Sequence, residues 1–315
     1  MKVLISYILI LGTLNACKND DASTTPDVSG SHIKHFGFTL VDTHWDDPTD
    51  SETKSNYADE IHTFSNLADI LVANPSDDLV QRAHNFKDLE LKAILHLNEL
   101  FFELVDANSP SGTNYNLRAD YEERWNTFNF INHSILNANY IGALYIGEEP
   151  TWNGITFSEL NNVAQLIKAE KPTIPLLVIE AFPSLNDLQV PELIDWIGFD
   201  RYFVRDPNIN TDYQEDWKTL QSKITNPSQK IMVIMDSHYI DWAHGGFGNI
   251  DVREMGEVAN NYYKLAKSDK RVIGILGYFW PNGFDTPESI GARGMPSNVK
   301  SEYERIGKEL TGKNN

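Results

Sequence analysis

The sequence has little cysteine, a shortage of basic residues and no apolar run long enough to span a membrane. It contains one cysteine in 315 residues, which excludes an intrachain disulfide. Lysine and arginine total 26 against 45 aspartates and glutamates, so the formal net charge is −19. A chain this acidic has no general attraction for phosphate backbones, and we expect no nucleic-acid partner. The apolar stretch at residues 3–14 is shorter than the ~20 residues that a transmembrane helix needs.

The N-terminal residues resemble a bacterial lipoprotein signal. Lys2 precedes the apolar stretch, and Leu14-Asn15-Ala16-Cys17 is similar to a lipobox, whose cysteine is acylated at the membrane face. The resemblance implies a signal peptide over residues 1–16 and a lipid on Cys17. Residues 17–31 are rich in Ser, Thr, Pro, Asp and Gly and predict a flexible tether. The alternative is a buried structural cysteine in an irregular N-terminus.

Acidic residues soon after Cys17 resemble the surface-export signal of Bacteroidota lipoproteins. We therefore expect a protein of the bacterial cell envelope, held by its lipid anchor in the outer membrane or at the cell surface. We expect a monomer.

Short apolar runs and amphipathic segments alternate along the rest of the chain. The apolar runs predict eight strands, at 35–43, 67–72, 92–97, 141–146, 175–179, 195–199, 230–235 and 272–279. Helical patterns occupy 78–88, 121–136, 157–169, 212–224, 252–267 and 298–310, and the link between strands five and six has room for a helical turn or two. This order predicts an α/β fold, a single (β/α)₈ TIM barrel over residues 32–315. An open doubly wound sheet would have a glycine-rich turn after its first strand, and residues 42–47 contain no glycine.

Carboxylates, aromatic rings and histidines follow the predicted strands, at the face where barrels have their active sites. Aromatic faces stack on sugar rings, and paired carboxylates can protonate a leaving oxygen and stabilise an oxocarbenium-like transition state. We therefore expect a carbohydrate substrate. No P-loop and no zinc-type spacing of Cys and His is present in the sequence, so we expect neither a metal nor a cofactor.

Side-chain alternation separates the candidate carboxylates. On the fourth strand, Ile146 suits the helix-facing side, which turns Tyr145, Gly147 and Glu149 toward the barrel axis and leaves Glu148 less well placed. On the sixth strand the same rule turns Asp200 inward.

The strand ends resemble those of the clan of (β/α)₈ glycoside hydrolases that place the acid/base after strand four and the nucleophile after strand seven. The match is Glu149-Pro150 and, more loosely, Trp280, where the clan has a tryptophan under the bound sugar. Glu148 stands where the clan has asparagine, and Asp236 stands where it has glutamate. The shorter aspartate would widen the gap between the carboxylates and allow an inverting mechanism.

The resemblance implies a glycoside hydrolase that cleaves a polysaccharide or oligosaccharide. Glu149 is the expected acid and Asp236 the expected nucleophile or base, facing it across the barrel mouth, with Asp200 as the alternative second carboxylate. The residues expected to contact the substrate are Trp45, Glu99, Glu148, Trp152, Tyr202, His238 and Trp280.

Two other functions stay open on the sequence alone. A glycan-binding surface lipoprotein with a degenerate barrel would keep the aromatic rings but have no working acid. A metal-dependent lyase or isomerase would use Glu149, Asp200, Asp236 and His238 as ligands. Turnover of a glycan and sensitivity to a chelator separate these functions.

We expect Cys17→Ser to release the protein from the membrane fraction or leave it unprocessed, because the anchor requires the thiol. Metabolic labelling with a radioactive fatty acid and fractionation of the cells measure this. If the wild-type protein takes up no label, Cys17 is not acylated.

Overall fold

Eight parallel strands form a closed barrel in a computed structural model that describes residues 31–105 and 109–313. Each strand pairs with its neighbours in chain order, and β8 closes the barrel on β1. The strands are β1 His35–Asp42, β2 Leu67–Leu71, β3 Lys92–His96, β4 Ile141–Glu148, β5 Leu176–Ala181, β6 Trp196–Asp200, β7 Lys230–Asp236 and β8 Val272–Tyr278. The predicted (β/α)₈ fold is confirmed. The predicted signal peptide and Cys17 lie outside the described residues.

Helices separate the strands, and each of the six predicted helical segments contains one. The α-helices are α1 Ala58–Ile61, α2 Val80–Asp88, α3 Asn98–Phe101, α4 Tyr121–Asn132, α5 Phe157–Glu170, α6 Thr211–Lys223, α7 Met255–Ser268 and α8 Ser297–Thr311. Between β5 and β6 the structure has a short 3₁₀ turn, Phe182–Ser184, as the short link predicted. Within the described ranges, no helix combines the length and apolarity that crossing a membrane requires.

The loops at the C-terminal end of the barrel contain structure that the sequence patterns did not predict. Strands Phe102–Val105 and Asn114–Leu117 pair as an antiparallel hairpin between α3 and α4. A π-helical segment, Asp241–Phe247, follows β7. Further 3₁₀ turns lie at Val252–Glu254 and Ala292–Gly294. The π-helical segment lies against the end of β7, where its His244 contacts Asp236.

Alternation along the strands divides the core into two layers. Outward side chains pack under the helices; Phe199 of β6, for example, contacts Tyr213 and Trp217 of α6 at ring-centroid distances of 5.1 and 6.3 Å. Inward side chains fill the barrel and comprise Leu67, Ile94, Ala143, Tyr145, Leu177, Ile179, Trp196, Met232, Ile234 and Leu276. The barrel below the mouth is therefore a packed core.

Glycine permits the closest contact between β1 and β2. A Cβ on Gly37 would lie 2.0 Å from the carbonyl oxygen of Leu67. An alanine at this position requires the two strands to move apart.

We expect Gly37→Ala to lower the free energy of unfolding by about 1–3 kcal/mol, the usual cost of overpacking a core. Urea denaturation measures this. Gly246→Ala is the matched control, because a Cβ on Gly246 would meet no atom within 4 Å. Equal urea midpoints for the two variants would contradict the close contact.

Candidate active site

A cavity of about 490 Å³ opens at the C-terminal ends of the barrel strands. Its ionisable lining consists of Asp69, Glu99, Glu148, Asp200, His44 and His96. Its aromatic lining consists of Trp45, Tyr145, Tyr202, Tyr278 and Phe284. The cavity therefore combines carboxylates with rings, as the strand ends predicted, but it uses a partly different set of residues.

A β-bulge in β4 reverses the side-chain alternation that the sequence predicted. The pairing of β4 with β5 skips one residue, Ile146. Beyond it, a Cβ on Gly147 would point outward to within 3.1 Å of Leu160 on α5. Glu148 consequently turns inward and lines the cavity. The expectation that Gly147 shares the barrel-facing side with Glu149 is thus corrected.

Glu148 forms an ion pair with His96 at the end of β3. Its Oε2 lies 3.0 Å from Nε2 of His96, and its side chain remains 49% exposed. Burial raises the pKa of Glu148, but the charge and hydrogen bonding of His96 outweigh burial and hold this pKa below its usual value. Burial lowers the pKa of His96, yet Glu148 and then Asp69 raise it overall. The geometry favours an ionised Glu148 beside a protonated imidazole.

Glu149 forms a carboxyl–carboxyl pair with Asp200 of β6. The backbone of Glu149 is left-handed, with φ of 45°, and its carboxyl group is near enough to Asp200 to raise the pKa of that residue. Burial, followed by the charge of Glu148, raises the pKa of Glu149 to about 7. Burial and the neighbouring Glu149 raise the pKa of Asp200 well above its usual value. Two partly buried carboxyl groups that interact in this way do not both ionise easily, so the pair retains a proton at neutral pH.

Glu180 supports the turn that follows β4. It is fully buried and accepts backbone N–H groups from Thr151 and Trp152, at 2.8 and 3.1 Å, as well as from Ala181 at 3.0 Å. Trp152 lies in this turn, outside the cavity lining. The expectation that Trp152 contacts the substrate is therefore corrected, because this residue does not line the cavity.

Asp236 lies at the end of β7 but is sealed from the cavity. It is fully buried and accepts the backbone N–H of Phe203 at 2.8 Å. Nε2 of His244 lies 3.1 Å from its Oδ1, and Nδ1 of His238 lies 3.2 Å from the same oxygen. Burial raises the pKa of Asp236, but the two histidines outweigh burial and hold it well below its usual range. The expected arrangement, with Asp236 facing Glu149 across an open mouth, is therefore corrected.

The three residues Asp236, His238 and His244 also have the spacing of a metal site. Their ligand atoms all lie within 4.8 Å of one another. However, the backbone N–H of Ile240 donates to Nδ1 of His244 at 2.9 Å. This assigns the imidazole proton to Nε2, where it points at Asp236 and occupies the position that a metal would need. Among the described residues, Glu149 and Asp200 do not join this cluster, so the four-ligand metal site considered from the sequence is not assembled.

The aromatic wall of the cavity differs from the one predicted. Tyr202 stacks on Tyr278 with a centroid distance of 4.9 Å and an interplanar angle of 13°. Trp45 lines the opening and meets Phe284 edge-on at 5.3 Å. Trp280 lies outside the lining, because its indole N–H donates to Glu60 at 2.8 Å and its ring packs on neighbouring phenylalanines.

Among the ionisable and aromatic residues of the cavity, sequence reasoning missed His44 and Phe284, which lie in loops, and three residues on strands, Asp69, His96 and Tyr278. The three on strands could have been found. Each lies two positions after an inward-facing residue of the same strand, so alternation carried the signal. Asp69 accepts the backbone N–H groups of Leu40 and Val41 at 2.9 and 2.7 Å. Burial raises its pKa to about 6.

Comparisons with known proteins support the fold. No protein-family model and no curated protein sequence matches the chain. A glucosidase from Croceicoccus marinus is similar in structure with a TM-score of 0.60 and 11% identity, over 89% of this chain and 67% of that one. A GH113 β-mannanase from Alicyclobacillus acidocaldarius is similar with a TM-score of 0.53 and 10% identity, over 90% of this chain and 98% of that one. A thermostable mutant of a xylanase from Cellvibrio japonicus is similar with a TM-score of 0.51 and 9% identity, over 91% of this chain and all of that one.

This chain therefore has the fold of TIM-barrel glycoside hydrolases. The resemblance expected from the strand ends is confirmed at the level of the fold. At identities this low, the comparisons do not transfer the activities of those enzymes to this chain.

We expect Asp236→Ala to lower the free energy of unfolding by about 3–5 kcal/mol, because it removes the partner of buried, hydrogen-bonded imidazoles. Asp236→Asn keeps an acceptor and costs less. Urea denaturation measures both, with exposed Asp187→Ala as the control. If Asp236→Ala unfolds at the wild-type midpoint, the buried network does not stabilise the fold.

Proposed function

We propose that the protein is a glycoside hydrolase that cleaves a polysaccharide or oligosaccharide by acid/base catalysis. The observation that supports this most directly is the contrast between adjacent carboxylates. The Glu149–Asp200 pair retains a proton, whereas Glu148 is held ionised by His96. Two carboxyl groups in opposite protonation states are what hydrolysis of a glycosidic bond requires.

The proton for the leaving oxygen comes from the Glu149–Asp200 pair. Asp200 is the member of the pair that lines the cavity. Glu149 lies outside the lining and shares the proton with Asp200. Glu149 therefore keeps its expected part in acid catalysis, in partnership with Asp200 rather than opposite Asp236.

Glu148 is the proposed second carboxylate. Ionised and half-exposed in the cavity, it stabilises the positive charge that develops at the anomeric carbon, as a nucleophile or as a base for water. His96 acts through Glu148 and is a positioning residue. Asp236 holds the backbone of Phe203 beside Tyr202 and takes no part in the chemical step.

The aromatic wall supplies the binding surface. Trp45 at the opening and the stacked Tyr202 and Tyr278 offer ring faces to the apolar side of a sugar. With the lipid on Cys17, the proposal describes an envelope-anchored enzyme that acts on a glycan outside the membrane.

We expect Glu149→Gln and Asp200→Asn each to lower kcat/KM by about 10²- to 10⁴-fold on glycans with poor leaving groups, the usual contribution of a general acid. Activated aryl glycosides, which need little protonation, lose less. Initial rates on a panel of plant, algal and host glycans measure this, with exposed Glu123→Gln as the control.

The pH–rate profile tests the same assignments. The Glu149–Asp200 pair must keep its proton, so kcat/KM should fall as pH rises through the pKa of Glu149, about 7. Glu149→Gln should move this limb to lower pH, because Asp200 still titrates and the charge of Glu149 no longer raises its pKa. His96→Gln should move the acid limb to higher pH, because the pKa of Glu148 rises when the imidazole is lost. If wild-type protein binds a glycan without cleaving it, the protein is a glycan-binding lipoprotein instead.

A further inference from the structure

Carboxyl groups are the most numerous ionisable groups in the cavity lining. Its described lining contains four carboxyl groups, Asp69, Glu99, Glu148 and Asp200, and no lysine or arginine. The guanidinium that follows β6 turns away: Arg201 binds Asp212 and Asp216 instead. Apart from the imidazoles of His44 and His96, this lining holds no side chain that could carry a positive charge toward an anionic group of a substrate.

Glu99 is the carboxylate that the fold leaves without a partner. It is half-buried in α3, and its side chain forms no ion pair or hydrogen bond within residues 31–105 and 109–313. Two arginines lie close by but bind its backbone carbonyl, Arg118 at 3.2 Å and Arg124 at 3.3 Å. Arg118 directs its charge at Glu103, and Arg124 also donates to a second carbonyl. The negative charge of Glu99 is therefore presented to the cavity.

Glu99 and Glu148 act on the same part of the cavity. Both raise the pKa of His96, and both raise that of Tyr115 after the effect of burial. His96 compensates one of the two negative charges. The charge of Glu99 also interacts with Arg124, whose guanidinium binds backbone carbonyls and lies outside the cavity lining. Within the lining, one negative charge therefore remains. An anionic substituent on a bound sugar would face this excess charge in a half-buried site, where charge interactions are stronger than in bulk water.

The aromatic rings of the cavity also disfavour an anionic substituent on a bound sugar. The faces of Trp45, Tyr202 and Tyr278 carry the negative part of each ring quadrupole, which attracts cations and repels anions. Neutral sugar rings stack on these faces without penalty.

We propose that the cavity selects glycans whose sugars carry no carboxylate or sulfate and favours sugars that carry a protonated amine, with Glu99 as the residue that sets this specificity. The inference rests on the proposed function in that the ligand is a glycan. The inference concerns which glycans bind, so it can be wrong while the proposal of a glycoside hydrolase remains correct.

Calorimetric binding to the intact protein tests it with matched gluco- and manno-oligosaccharides that carry a hydroxyl, a carboxylate or an amine at C6. In 0.1 M salt, the neutral form should bind at least about fivefold more tightly than the carboxylate, and the amine at least as tightly as the neutral form. In 1 M salt, where charges are screened beyond about 3 Å, the differences should shrink. Glu99→Gln should reduce the differences in affinity among the three sugar forms in 0.1 M salt. The control Glu123→Gln also removes one negative charge, but from an exposed position, and should leave these differences unchanged.

Equal binding of the carboxylate and neutral forms by the wild-type protein overturns the inference, and the hydrolase proposal survives if the neutral glycan is still cleaved. A preference for the neutral form that Glu99→Gln leaves intact overturns the role of Glu99. If no glycan is bound or cleaved, the inference and the proposed function fall together. The salt dependence of glycan binding by the wild-type protein tests the selection by charge even if Glu99→Gln does not fold.

Discussion

The extra residue at Ile146 is the constraint on which the candidate site depends. Without this bulge, strict alternation would turn Glu148 toward the helix layer beside α5. With it, Glu148 turns inward to meet His96, and the chain continues through a left-handed Glu149 whose carboxyl group meets Asp200. One backbone irregularity thus places two adjacent glutamates in different electrostatic surroundings.

Those surroundings push the pKa values of the two glutamates apart. Glu148 has a cationic neighbour, so its charged form is favoured despite burial. Glu149 is buried beside the negative charge of Glu148, so its neutral form is favoured. Neither effect is a property of glutamate itself. The first requires His96 from β3. The second requires burial beside Glu148, and the charge of Glu149 in turn raises the pKa of Asp200 on β6. Closing the barrel is what brings these partners together.

The sequence was sufficient to predict the barrel, because apolar runs and amphipathic segments are local patterns that each strand and helix displays by itself. It also predicted that Asp200 faces inward, since β6 has no irregularity before its end. It could not predict the bulge in β4, which is a mismatch of register between two strands. Nor could it predict that Trp280 would pack under the helices, because its partner Glu60 is far away in the chain.

Asp200 and Asp236 show why a strand end alone does not define a catalytic group. Both end a barrel strand and both face inward, yet only Asp200 lines the cavity. Asp236 is covered by the loop at Phe203 and by the helical segment that contributes His244, and it accepts hydrogen bonds from both. A fully buried carboxylate that accepts such hydrogen bonds and lies outside the cavity lining does not reach a sugar or a water bound there. In this barrel the strands supply the carboxylates, and the loops determine which of them remain available for chemistry.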